Sequence, residues 1–127
     1  MRSAVEDRLR VMLACPRSAL AAVERFYCET LGFEPEHRRE EEGATLVGLR
    51  LDGTRLLLAT PGAFDIGPAG ATTNATVILM HPDPVARRRA LGARYDGAMS
   101  EVRAMGAGSF YELVDPCGNR VWIMQVE

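Results

Sequence analysis

The sequence predicts an α+β fold made of two β-α-β-β-β modules in a single domain. A strand, a helix and three further strands can be read from the first half, and the same order returns in the second. Matching glycine turns, Gly53 and Gly118, close the last hairpin of each half, so that Arg55-Leu56-Leu57-Leu58 corresponds to Arg120-Val121-Trp122-Ile123. With 127 residues, 47% of them apolar, the chain suffices for one buried core and needs no second domain.

The elements follow in order. Leu9, Val11 and Leu13 alternate with Arg10, Met12 and Ala14, the period of a half-buried strand. Ser18 reads as the N-cap of a helix whose Leu20, Val23 and Tyr27 share one face, and Gly32 reads as its stop. Strands are expected over 34–39, 44–51 and 55–59, the last two joined by the tight-hairpin pair Asp52-Gly53. In the second half 75–80 is an apolar, β-branched strand, Asp83 is an N-cap followed by Pro84, and Leu91-Gly92 ends that helix. A weaker strand is expected near 93–95, then a hairpin of 110–114 and 120–125 around Asp115-Pro116-Cys117-Gly118-Asn119. The modules thus cover about 8–60 and 75–126. The stretch between them, about 61–74, is rich in Gly, Pro, Ala and Thr, carries Phe64 and Ile66, and reads as a linker able to lean over a pocket.

Composition excludes several classes. The net charge is -2 and the only basic block, Arg87-Arg88-Arg89, falls on a predicted helix, where it reads as a solvated face; neither nucleic acid nor a membrane is an expected partner. All fifteen basic residues are Arg, which says little about function. Met1 to Arg10 has no apolar leader core, and no run of about 18 apolar residues occurs, so a cytoplasmic protein is expected. Cys15, Cys28 and Cys117 are odd in number and lack metal-ligand spacing, which supports neither a disulfide framework nor a zinc site. Cys15 and Cys28 read as small core residues and Cys117 as a turn thiol.

The run Asp115-Pro116-Cys117-Gly118-Asn119-Arg120-Val121-Trp122-Ile123-Met124 resembles the closing hairpin of the vicinal oxygen chelate superfamily, which includes glyoxalase I, extradiol dioxygenases, fosfomycin-resistance enzymes and bleomycin-resistance proteins. Phe26-Tyr27 ahead of Leu31-Gly32-Phe33 looks like that superfamily's first-helix ending. The resemblance implies a curved, cup-shaped mixed sheet with the helices on its outer side, and metal ligands drawn from the first and last strand of each module. Carried over, those positions fall at or near Met12, Leu57, Thr76 and Trp122, the first and third within a residue or two. Metal-dependent members have a Glu at the seventh residue after the Asp; here that residue is Trp122. An indole has no lone pair for a divalent cation, and the neighbours Arg10, Val11, Asn74 and Ala75 are not usual ligands either. No metal and no cofactor is therefore expected. His37 and His81 read as ordinary surface or strand-end histidines, and Glu40-Glu41-Glu42 as a solvated turn.

Alternation predicts what the cup holds instead. With Val121, Ile123, Leu56 and Leu58 under the helices, Arg120, Trp122, Met124, Arg55 and Leu57 face inward, joined by Arg10, Met12, Ala14, Asn74, Thr76, Ile78 and Met80. Trp122 would stack on a flat organic ligand, Met12, Met80 and Met124 would fill irregular gaps, and Arg55 or Arg120 would meet an anionic or carbonyl group. Leu57, Thr76 and Asn74 would line the site, with Tyr111 adding a hydroxyl if its strand faces that way.

The resulting expectation is a metal-independent binding protein of the glyoxalase/bleomycin-resistance type, a homodimer that sequesters a hydrophobic or aromatic metabolite or antibiotic. The alternative is a glyoxalase- or dioxygenase-like enzyme: a lyase, isomerase or cyclase, metal-free or with an unrecognised metal site. It would draw an acid from Glu112 or Asp115 assisted by Tyr111. Asp115 is better suited to shaping its own turn, and Ser109 and Cys117 lack a local base that would make either a nucleophile.

Overall fold

The structure, a computed structural model, describes residues 11–41, 43–60, 76–105 and 108–125. The first module holds β1 (Val11–Ala14), α1 (Leu20–Arg25), β2 (Glu34–Glu41), β3 (Ala44–Leu51) and β4 (Thr54–Ala59). The second holds β5 (Thr76–His81), α2 (Pro84–Gly92), β6 (Arg103–Met105), β7 (Gly108–Val114) and β8 (Arg120–Gln125). Hydrogen bonding gives two four-stranded sheets with the same plan, β1-β4-β3-β2 and β5-β8-β7-β6. The first strand of each module lies parallel to the last, and the remaining pairs are antiparallel. This is the α+β repeat that the sequence predicts. The residues assigned to the linker, and with them Arg10 and Asn74, lie outside the described residues.

Period-two alternation decides which face each sheet buries. Val47 and Leu49 of β3, Leu56 and Leu58 of β4, Tyr111 and Leu113 of β7, and Val121 and Ile123 of β8 are all buried. They meet Leu20, Val23, Phe26, Tyr27, Leu31 and Leu91 in one core shared by both modules. Tyr27 is its aromatic hub, in edge contact with Phe26 and Phe33 at ring-centroid separations of 5.1 and 5.8 Å.

The start of the first helix departs from expectation. A 3-10 turn over Arg17–Ala19 precedes α1, Ser18 sits inside it, and no side chain caps α1 at Ala19. The cause is Pro16, whose carbonyl accepts from Ala19 N at 2.9 Å and starts the coil before Ser18 can cap it. The helix then widens into a π turn over Phe26–Thr30, with Leu31 N bonded to Phe26 O at 3.2 Å. A five-residue turn places Leu31 over Phe26, so both bury on the same side. Gly32 is the expected stop, at a φ of 89°.

α2 begins as expected: Asp83 Oδ1 accepts from Ala86 N at 3.1 Å and Pro84 opens the first turn. Its end does not repeat the Gly32 stop, because Gly92 is still helical and Arg94 N and Tyr95 N both bond to Leu91 O, at 3.0 and 2.8 Å. Those amides cannot also feed a ladder, so the strand expected near 93–95 is a turn and β6 lies further along.

The two hairpin turns differ. β3 and β4 are joined by two residues, with Asp52 at a φ of 50°, whereas β7 and β8 are joined by five, with Gly118 at 88°. The longer turn is organised by Asp115, 3% exposed. Its Oδ1 accepts from Cys117 N at 2.8 Å and Asn119 N at 2.9 Å; its Oδ2 accepts from Asn119 Nδ2 at 2.9 Å and Tyr27 Oη at 2.8 Å. Asp115 therefore shapes its own turn, as the sequence suggests, and also ties the second module to the first.

Candidate functional site

Each sheet has one face against the shared core and one open face, and the open face of the second sheet collects the chemistry. Because Val121 and Ile123 point into the core, Arg120, Trp122 and Met124 point away from it. Register then fixes their neighbours: Trp122 lies between Ile78 and Glu112, Met124 between Met80 and Phe110, and Arg120 between Thr76 and Val114. The Trp122 indole tilts at 33° against the Phe110 ring, with centroids 4.6 Å apart, and its Nε1–H donates to Glu112 Oε1 at 2.9 Å. Arg120 Nε lies 3.7 Å from the same oxygen. Beside this pair, Ile78 and Met80 are 50% and 55% exposed. The arrangement is an apolar aromatic shelf with one carboxylate at its polar end.

Phe110 was legible and was missed, and Glu112, read from the sequence only as an acid for the enzymatic alternative, stands beside Trp122. A five-residue turn from Asp115 to Asn119 pairs Val114 with Arg120, which puts Glu112 opposite Trp122 and Phe110 opposite Met124. The same count settles Tyr111, which points the other way. It is fully buried in the core and cannot line a ligand site on the Trp122 face. Its hydroxyl has no hydrogen-bond partner among the described residues. Burial pushes its pKa up to about 12 against the opposing pull of Arg87 and Arg88.

On the first sheet Met12, Leu57, Gly48 and His37 form one row across all four strands. Met12 is 44% exposed, and the His37 ring lies over Gly48, in the space that an added Cβ would take. His37 is exposed as expected, but its imidazole lies along the open face beside Leu57. Arg55 has its charge met already: its Nε is 2.8 Å from Glu36 Oε1. Arg120 likewise stands beside Glu112, so each arginine already has a carboxylate at its Nε. An open cleft lies beside the β3-β4 turn, lined by Gly32, Glu34, Arg50, Leu51 and Asp52.

The residues at the four superfamily ligand positions do not fit a divalent cation. Met12 pairs with Leu57, and the residue across from Trp122 is Ile78; Thr76, taken for that place from the sequence, stands opposite Arg120. A thioether, two aliphatic chains and an indole are the whole donor set. No cluster of three His, Cys, Asp or Glu side chains suited to a metal occurs among the described residues. The Nδ1 of His81 accepts from Asp83 N at 2.9 Å.

No family model matches the chain, and no curated protein matches it in sequence. Solved structures match it along its length. An antibiotic-binding protein from Streptomyces sp. CB03234 is 20% identical over 99% of this chain and 100% of that one, with a TM-score of 0.72. A putative glyoxalase family protein from Bacillus anthracis is 19% identical over the full length of both, with a TM-score of 0.73. A lactoylglutathione lyase from Agrobacterium tumefaciens is 19% identical over 97% and 96%, with a TM-score of 0.69. The fold is thus that of the glyoxalase/bleomycin-resistance proteins, as the closing hairpin suggested, and at these identities the likeness is one of fold.

Proposed function

We propose that this chain is a metal-independent small-molecule binding protein that holds a flat hydrophobic or aromatic metabolite or antibiotic against Trp122, in the cytoplasm and as a homodimer. The observation that carries the reading is the braced indole. Phe110 supports the ring and Glu112 anchors its N–H, so the stacking surface is oriented before a ligand arrives and little ordering entropy is lost on binding. Ile78, Met80 and Met124 extend the apolar shelf, and methionine adapts to irregular outlines. The antibiotic-binding neighbour supports sequestration as the outcome of binding.

A second copy is part of the proposal. Met12, Ile78 and Met80 leave apolar area on both open faces, and a homodimer that covers them would wall the shelf into a groove. Native mass spectrometry of protein purified without chelator tests these points together. The expected spectrum is a dimer free of metal, carrying or accepting a planar aromatic molecule. A metal-loaded species that alone binds such molecules would refute the reading.

A further inference from the structure

Glu112 has more acceptor capacity than the shelf around it uses. Its backbone is clamped on the β6 side: the Glu112 N–H donates to Ser100 Oγ at 2.8 Å, and the Ser100 N–H donates to Glu112 O at 2.9 Å. Ser100 is itself held from α2, where Arg88 Nε donates to its carbonyl at 2.9 Å. Because both backbone groups of Glu112 turn toward Ser100, Glu112 and Trp122 pair without hydrogen bonds between their own backbones, the kind of pair whose side chains stand closest. That closeness lets Glu112 Oε1 accept from the indole N–H at 2.9 Å. Arg120 Nε approaches the same oxygen, at 3.7 Å. Among the described residues no donor reaches Oε2, and the side chain stays 30% exposed. A carboxylate has acceptor sites on both oxygens, so the second oxygen is open to a donor from outside the chain.

We propose that Glu112 is the residue that selects the ligand, and that the ligand is a planar aromatic with a neutral hydrogen-bond donor, a phenolic hydroxyl, on the edge toward Glu112; the proposal rests on the reading of Trp122 as a stacking surface. Glu112 meets the indole at its Nε1 edge, so a ring laid on the indole brings its own edge alongside the carboxylate. Charge then narrows the class. A carboxylate only accepts hydrogen bonds, so an ether or an anionic group at this edge gains nothing from it. A cationic amine would pair with Glu112 but would stand beside the Arg120 guanidinium, whereas a neutral hydroxyl donates without meeting a like charge. Phe110 against the indole and Ile78 across from it keep the surroundings apolar, which strengthens a hydrogen bond to a charged acceptor.

The test measures binding of a naphthol, its methyl ether and the matching naphthoate to the full-length chain by equilibrium dialysis at about pH 7, where the phenolic hydroxyl is neutral. The naphthol should bind about tenfold or more tighter than the ether, and the naphthoate no better than the ether. Trp122→Ala should weaken the naphthol and the ether together. In Glu112→Gln the amide oxygen still faces the indole N–H but the NH2 group opposes a donor, so the naphthol's advantage should shrink to within about twofold. The proposal is overturned if the parent chain binds naphthol and ether equally, if Glu112→Gln keeps the preference, or if the naphthoate binds tightest, which would make Arg120 the selecting group. In each of those cases a loss of both neutral ligands in Trp122→Ala leaves the stacking surface standing. Binding of none of the three, or binding indifferent to Trp122→Ala, overturns the stacking surface and the proposal with it.

Discussion

Four hydrogen bonds converge on the Asp115 carboxylate, and that side chain shows why a turn residue can outweigh a core residue. Asp115→Ala should cost about 3 kcal/mol or more in urea unfolding, because Tyr27 Oη and two backbone amides lose their acceptor in a buried place. Tyr111 is the opposite case. Its buried hydroxyl has no partner, so Tyr111→Phe should leave stability unchanged or raise it by up to about 1 kcal/mol, whereas a loss of that size would mean the hydroxyl is bonded. At the shelf, Trp122→Glu adds one carboxylate with Glu112 as its cross-strand neighbour on one side and only Ile78 on the other, short of a four-ligand site. Elemental analysis of that variant should find no retained metal, while its affinity for planar aromatics should drop.

Among the elements, the strands were the legible part and the helix ends were not. β3 and β8 lie where alternation put them, since a half-buried sheet writes its period directly into the chain. The face of Trp122 and Met124 followed from the same period, and Ile78, within two residues of Thr76 as the sequence allowed, is the residue opposite Trp122, because a parallel register is set by packing across the sheet and not by local spacing. Ser18 failed as a cap because Pro16 had already turned the backbone, and the π turn has no sequence period of its own. Glu112 and Phe110 needed only the hairpin count. For α2, where cap and proline were read correctly, Asp83→Ala should cost about 1 kcal/mol, checked by thermal unfolding.

For the whole molecule, burial makes the core hold protons that the unfolded chain would release. Cys15 rises from 9.0 to about 12, Tyr111 from 10.0 to about 12, and Tyr27, chiefly by burial and then by Asp115, rises further. Raised values stabilise the fold fully below the unfolded pKa and lose that contribution as pH climbs toward the folded one. Stability should thus be flat through neutrality on their account and fall from about pH 9 upward, by at most about 1.4 kcal/mol per pH unit for each group. Urea midpoints measured across that range check the sign, and a midpoint rising above pH 9 would contradict it.

The claim that joins these scales is that an oriented indole on an open sheet face, and not a metal, receives the ligand. Trp122 is the single tryptophan of the chain, so its emission reports on that face alone. The most direct measurement titrates a panel of planar aromatic and polyketide-like molecules into the protein with and without chelator, following Trp122 emission beside calorimetric binding to Trp122→Ala. The account predicts a saturable emission change that chelator does not alter, and binding to the alanine variant weaker by roughly 1 to 3 kcal/mol. A folded Trp122→Ala chain that binds as tightly as the parent, or binding that chelator abolishes, would contradict it.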